Sequence, residues 1–99
     1  GNSLLKVLIS ECIDALEGVP MTLYCNKSDF VLVKKISSEF SKTKKLKIKV
    51  SSKYIDTAGG IRAIVEDGFI RFDNTFESRI ERLKPELRRR ISILFSRSK

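Results

Sequence analysis

The sequence predicts an α+β domain. It is a two-layer α/β sandwich whose four-stranded, largely antiparallel sheet carries helices on one face and leaves the other open, with a long C-terminal helix closing the chain. Three observations lead there. Residues 61–73 alternate about an Asp67-Gly68 turn, and closing the hairpin there sets Glu66 opposite Phe69, Val65 opposite Ile70, Ala63 opposite Phe72 and Arg62 opposite Asp73. Residues 76–95 place apolar side chains at steps of three and four. Residues 44–51 alternate aliphatic side chains with lysine and serine. A chain of 99 residues has room for one core, so residues 1–99 are read as a single domain.

The elements follow in order. Leu4 to Leu16 is a helix, with Ser3 as its cap and Gly18 and Pro20 as its stop. Leu5, Leu8, Ile9, Cys12, Ile13 and Leu16 form its buried face. Val7 falls on the opposite face beside Glu11 and Asp14, where a single valine is either incidental or the mark of a partner helix. Met21 to Cys25 is a short strand with Met21, Leu23 and Cys25 on one side. Ser28 or Asp29 caps a second helix that runs to about Phe40 on Phe30, Val33, Ile36 and Phe40. The β-branched run at its start makes a strand the competing reading. Lys44 to Ser51 is the clearest strand, with Leu46, Ile48 and Val50 inward. Lys45, Lys47, Lys49 and Ser51 then lie on the open face near Arg62 and Arg71. A loop from Ser51 ends in Gly59-Gly60.

In the hairpin, Ile61, Ala63, Val65, Ile70 and Phe72 share one face, and Arg62, Ile64, Glu66, Phe69, Arg71 and Asp73 share the other. One side is apolar and the other mixed, the pattern of a sheet packed on one side only. Asn74 caps the last helix and Glu77 reaches back to it. The stripe on that helix is Phe76, Ile80, Leu83, Leu87, Ile91, Leu94 and Phe95. Pro85 lies opposite the stripe and reads as a bend convex to water, a break near Lys84 being the alternative. At about 1.5–3 kcal/mol per buried large side chain, the stripe makes this helix the main partner of the sheet, with Leu87 at its centre.

Little in the chain supports chemistry. There is no histidine, which removes the commonest general base and metal ligand. Cys12 and Cys25 both fall on core faces and read as small buried apolar side chains, with too few ligands nearby for zinc. Gly59-Gly60 precedes a strand and lacks the lysine of a phosphate loop, so it marks a turn or a close approach of backbone. Glu77, Glu81 and Glu86 are spaced along a helix, where Glu81 pairs with Lys84 and Glu86 with Arg89 and Arg90. No catalytic residue, cofactor or metal site is expected, and no apolar run is long enough to cross a membrane. The net charge of +8 favours an acidic partner or a nucleic acid, with basic clusters at residues 42–49 and 88–90.

Gly59-Gly60, the strand after them, the acidic-glycine turn, the strand ending in Asp73-Asn74-Thr75-Phe76-Glu77, and then Arg79 and Glu81-Arg82-Leu83 form an ordered set. That set resembles the E subunit of archaeal and vacuolar-type rotary ATPases, from Gly59 onward. The resemblance implies the C-terminal domain of a non-catalytic peripheral-stalk, or stator, component of a proton- or sodium-driven ATPase. It also implies a missing upstream half that begins with a long charged helix; Gly1-Asn2, apart from the resemblance, reads as a cloning remnant. The implied partners are a second long-helix stalk subunit, of G or H type, and the N-terminal region of a nucleotide-binding head subunit. The implied location is cytoplasmic, with the membrane reached only through the complex and no direct contact with nucleic acid. Two candidate partner surfaces follow from the one-sided pattern. One is the outer face of the opening helix, with Leu4, Val7 and Glu11. The other is the open sheet face, with Lys47, Lys49, Ile64, Phe69 and Arg71, an apolar centre inside a charged rim. The alternative is a basic α/β module that binds RNA through that same face.

Overall fold

Six apolar side chains at helical spacing build the first element. In the computed structural model, which describes residues 2–66 and 68–97 (side chains 3–66 and 68–94), α1 spans Asn2–Ala15. Leu5, Leu8, Ile9, Cys12, Ile13 and Leu16 are all buried, as their spacing requires. The helix ends where Gly18, at a φ of 69°, donates its N–H to the Ile13 carbonyl at 2.9 Å. Strand β1 (Met21–Tyr24) buries Met21 and Leu23, and Cys25 follows in the core.

The run after residue 28 is a helix. Helix α2 spans Phe30–Lys44, with Val33 and Ile36 buried. Neither expected cap performs that task. Asp29 occupies the cap position without a side-chain bond, and the Asn26 side-chain oxygen accepts the Asp29 N–H at 2.8 Å instead. The helix also runs past Phe40 and takes the start of the expected strand, so β2 is only Ile48–Val50. Lys45 stops it in the left-handed region at a φ of 54°, donating its N–H to the Ser41 carbonyl. Helix and strand patterns overlap across residues 42–46, and lysines near a helix C-terminus are favourable against its dipole. A non-glycine residue in that conformation costs about 1–2 kcal/mol. Lys45→Gly is therefore expected to raise stability by about 0.5–1 kcal/mol in urea unfolding; a loss would mean that the lysine side chain contributes more than its backbone strain costs.

The sheet order is β2-β1-β3-β4, with β3 spanning Gly60–Val65 and β4 Arg71–Thr75. Strands β1 and β2 are parallel because α2 forms the crossover between them, and the other two pairings are antiparallel. The hairpin register is the expected one. Arg62 faces Asp73, Ala63 faces Phe72, and Val65 donates to the Ile70 carbonyl at 2.9 Å. Asp67 lies outside the described residues; Gly68 has a φ of 79°. Ile61 and Ala63 are fully buried, and Ile64, on the other face, is half-exposed.

The last helix, α3 (Phe76–Arg97), departs from expectation. It runs through Pro85 without a break, but it is not the main cover of the sheet. Ile80, Leu83, Leu87, Ile91 and Leu94 are each 50–64% exposed. The core is formed by α1, α2 and the inner sheet face, and among the described side chains of α3 only Phe76 packs against it. Dimensions explain this. Four strands at ~4.8 Å spacing are spanned by two helices about 10 Å wide, so a third has no sheet left to cover. The molecule is accordingly long, at 56 × 27 × 25 Å.

A candidate interaction surface at the corner between β4 and α3

The chain turns from sheet to projecting helix at Asp73-Asn74-Thr75, and its polar side chains converge there. Asn74 is the penultimate strand residue rather than the helix cap. Its partner Ile61 faces the core, so its amide is buried completely. Nδ2 donates to the Leu8 carbonyl and to Glu11 Oε1, both at 3.0 Å. Oδ1 accepts from Arg79 at 2.9 Å and from Arg82 at 3.1 Å. A buried amide needs such partners, since leaving one unmet costs about 1–3 kcal/mol. Arg79 also meets Glu11 at 2.6 Å, and Arg82 donates to the Asp73 carbonyl at 2.9 Å while its guanidinium lies over the Phe72 ring. Helix α3 is thus tied to α1 and β4 in its first two turns.

Thr75 is the true cap, its hydroxyl oxygen accepting the Ser78 N–H at 3.4 Å. That hydroxyl donates to Asp73 Oδ1 at 2.7 Å, and the Thr75 N–H reaches the same oxygen at 3.0 Å. Glu77 does not reach back along its own helix. Its carboxylate accepts from the Thr57 hydroxyl and, at 2.9 Å, from the Ala58 N–H, so it anchors the long loop. The loop then delivers Gly59-Gly60 beneath the corner. A Cβ on Gly59 would lie 2.5 Å from the Phe76 ring. One on Gly60 would lie 2.6 Å from the Asn74 carbonyl oxygen. The two glycines are therefore a close approach of backbone, as the sequence suggested.

The electrostatics follow the hydrogen bonds. Burial opposes ionisation of Asp73, but the Thr75 hydroxyl and N–H, Ser78 and the Arg62 charge outweigh it and pull the pKa down to about 2. Because the folded value lies below the ordinary one, this stabilisation is present above about pH 4 and is lost as pH falls towards 2. Urea midpoints measured from pH 5 to pH 2 should fall in that window. Asp73→Asn should be less stable at neutral pH and show a shallower fall; an identical slope would remove Asp73 from the acid transition. Hydrogen bonds from Asn74 and then Arg79 hold Glu11 below its usual range. Burial raises the Cys12 thiol to about 12 and the Cys25 thiol to about 11, so both are unreactive side chains of the core. Among the described residues, no group of three or more His, Cys, Asp or Glu could hold a metal ion, and no helix is long and apolar enough to cross a membrane.

The expected partner residues scatter over several surfaces. Lys49, Ile64 and Arg71 share one cross-strand row of the open face, since Thr22 pairs with both Lys49 and Ile64, and Ile64 pairs with Arg71. Lys47 lies one step beyond the strand, its carbonyl accepting the Met21 N–H, and Lys45 leaves the row for the end of α2. Phe69 is at the hairpin tip, 90% exposed, rather than on a strand. Beside it in the chain, Ile70 lines an apolar groove of about 300 Å³ with Leu16, Val19 and Val65. Leu4 and Val7 are exposed on α1, while the Glu11 carboxylate is engaged by Asn74 and Arg79. Sequence reasoning missed the corner network. Its signal was present as Asn74, Arg79 and Arg82, but Glu11 comes from a distant helix.

The fold is a small α+β domain from which a basic, apolar-striped helix projects. Residues 2–95 match the family model described as ATP synthase (E/31 kDa) subunit, and the chain belongs to that family. It is 35% identical over 96 residues to the E subunit of the A-type ATP synthase of Pyrococcus abyssi, covering 92% of this chain and 46% of that one. It is 35% identical over 94 residues to the corresponding A-type protein of Thermococcus kodakarensis, covering 89% and 46%. With the E subunit of the V-type ATP synthase of Nitrosococcus oceani it shares 50% identity over 42 residues, 42% of this chain and 20% of that one. The chain spans about half the length of the archaeal relatives it matches. The family is the one that the residues from Gly59 onward resemble.

Proposed function

We propose that this chain is the C-terminal globular domain of a non-catalytic peripheral-stalk subunit in an A/V-type rotary ATPase, joining the stalk to the catalytic head. The observation that carries the reading is the family match across residues 2–95. A stator acts mechanically: it resists torque so that rotor turning is coupled to nucleotide chemistry elsewhere in the complex. That task favours a domain whose parts cannot shift against one another. The saturated Asn74 amide, the Glu11–Arg79 pair and the Glu77 anchor provide this at the corner that a load would bend. The partners are the second stalk subunit, met along α1 at Leu4 and Val7, and the N-terminal region of a nucleotide-binding head subunit. The open face and hairpin tip, with Ile64, Arg71 and Phe69, form the head contact.

Purified head offered to immobilised domain tests this. Phe69→Ala and Ile64→Asp are expected to reduce capture at least ten-fold while leaving the circular dichroism spectrum unchanged, and Val7→Asp to spare it. Undiminished capture by both would rule out the open-face and hairpin-tip contact. Tight binding of single-stranded RNA at physiological salt, weakened by Lys47→Glu or Arg71→Glu, would instead favour the nucleic-acid reading.

A further inference from the structure

We propose that the outer edge of β2 receives an extended segment of another protein chain, which joins the four-stranded sheet as a further strand and bears acidic side chains on the open face. This contact uses residues other than Ile64, Arg71 and Phe69 and does not depend on the head reading.

The two edges of the sheet differ. At β4 the outward groups near the corner are taken: Arg82 donates to the Asp73 carbonyl at 2.9 Å, and the Thr75 N–H to Asp73 Oδ1 at 3.0 Å. At the other edge β2 pairs with β1 alone. In that parallel ladder the Met21 N–H donates to the Lys47 carbonyl at 3.1 Å, and the Ser51 N–H to the Leu23 carbonyl at 2.9 Å. Residues 47, 49 and 51 therefore turn their peptide groups towards β1. Ile48 and Val50 turn theirs outward, where the sheet supplies no partner. Such a row of N–H and carbonyl groups is the template to which an extended peptide adds. Both side chains pack against the core yet stay half-exposed, so an added strand would also extend their burial.

Charge decides the occupant. Residues 42–49 hold five lysines and no Asp or Glu, and all five lysines are exposed. Among the described residues none of them forms an ion pair. Lys47 and Lys49 stand at alternate positions, so they share the open face on either side of Ile48. Lysines on a short edge strand repel a second copy of the same edge. The same row attracts a strand with glutamate or aspartate at alternate positions, and aliphatic residues between them would lie beside Ile48 and Val50 on the inner face.

The probe is a labelled synthetic peptide that alternates glutamate with valine, titrated against the 99-residue chain by fluorescence anisotropy. One control peptide carries lysine for glutamate. The other is methylated at its backbone nitrogens and cannot donate to the edge. The parent peptide should bind at least ten-fold more tightly than either, and less tightly as salt rises. At saturation, amide hydrogen exchange should slow at least ten-fold at Ile48 and Val50 and stay unchanged at Arg71 on the opposite edge. Lys49→Glu should reduce binding at least ten-fold. Val50→Pro should do the same with the circular dichroism spectrum retained, since it removes only an outward N–H and proline is tolerated on edge strands. The methylated peptide tests the same bonds with the protein unaltered. Its binding as tightly as the parent overturns the proposal, because charge alone then holds the peptide. No binding of the parent, or slowed exchange at Arg71 instead of Ile48 and Val50, overturns it too. So does a dimer in sedimentation that Val50→Pro abolishes, because the occupant is then a second copy. Single-stranded RNA that binds more tightly and displaces the peptide also overturns it, because the lysine row then serves a nucleic acid.

Discussion

Gly60→Ala is expected to lower the stability of the domain by about 2–5 kcal/mol, although it adds one methyl group. Two independent causes combine. Gly60 has a φ of 96°, a conformation that costs an L-residue roughly 1–2 kcal/mol or more. The new Cβ would also lie 2.6 Å from the Asn74 carbonyl oxygen and 2.7 Å from the Thr75 Cα. These are backbone atoms, so no side chain can swing aside, and overpacking of this kind costs about 1–3 kcal/mol. Relief would move β3 from β4 where Gly60 pairs with Thr75, and so disturb the helix cap and the corner. Urea unfolding of the variant checks this. A loss below about 0.5 kcal/mol, the size of an ordinary surface change, would mean that the strand opening relaxes at little cost.

Leu8→Ala and Leu87→Ala should part company by several kcal/mol, though both delete a leucine from an apolar helical stripe. Leu8 is 0% exposed at the centre of the core, so its loss should cost about 2–5 kcal/mol through transfer energy and the cavity left behind. Leu87 is 54% exposed on α3, so its loss in the isolated chain should stay within about 1 kcal/mol. This reverses the sequence-based expectation that Leu87, at the centre of the helix stripe, is buried against the sheet and costs about 2–5 kcal/mol to truncate. Pro85→Ala should be neutral or stabilising on either reading, since Pro85 is exposed and faces away from the stripe. Equal, large losses for Leu8 and Leu87 would place α3 on the sheet after all.

The two leucines also show where sequence reasoning reaches its limit. A stripe at steps of three and four says that a helix has a face to cover, and it says so with equal force for Leu8 and for Leu87. It does not say with what. The sequence pattern therefore specified α1, the hairpin register, the inner residues Ile61 and Ala63 and the close approach at Gly59-Gly60, because each depends on period or on local stereochemistry. It misplaced the border between α2 and β2, where lysines alternating with leucine satisfy a helix end and a strand equally. It also misassigned Asn74, since the same residue suits a cap and a buried hydrogen-bond hub.

By itself, then, the sequence determined the class of fold, the family and the lack of histidine-based chemistry, since composition and the ordered residues from Gly59 to Leu83 are properties of the chain alone. Only the tertiary structure decided that two helices suffice to cover four strands, that α3 is left over and exposed, and that Asn74, Glu11, Arg79 and Arg82 meet at one corner. The reason is range. Period and propensity act over a few residues, whereas the area available on a sheet face and the meeting of residues 11 and 74 depend on how distant segments share one core.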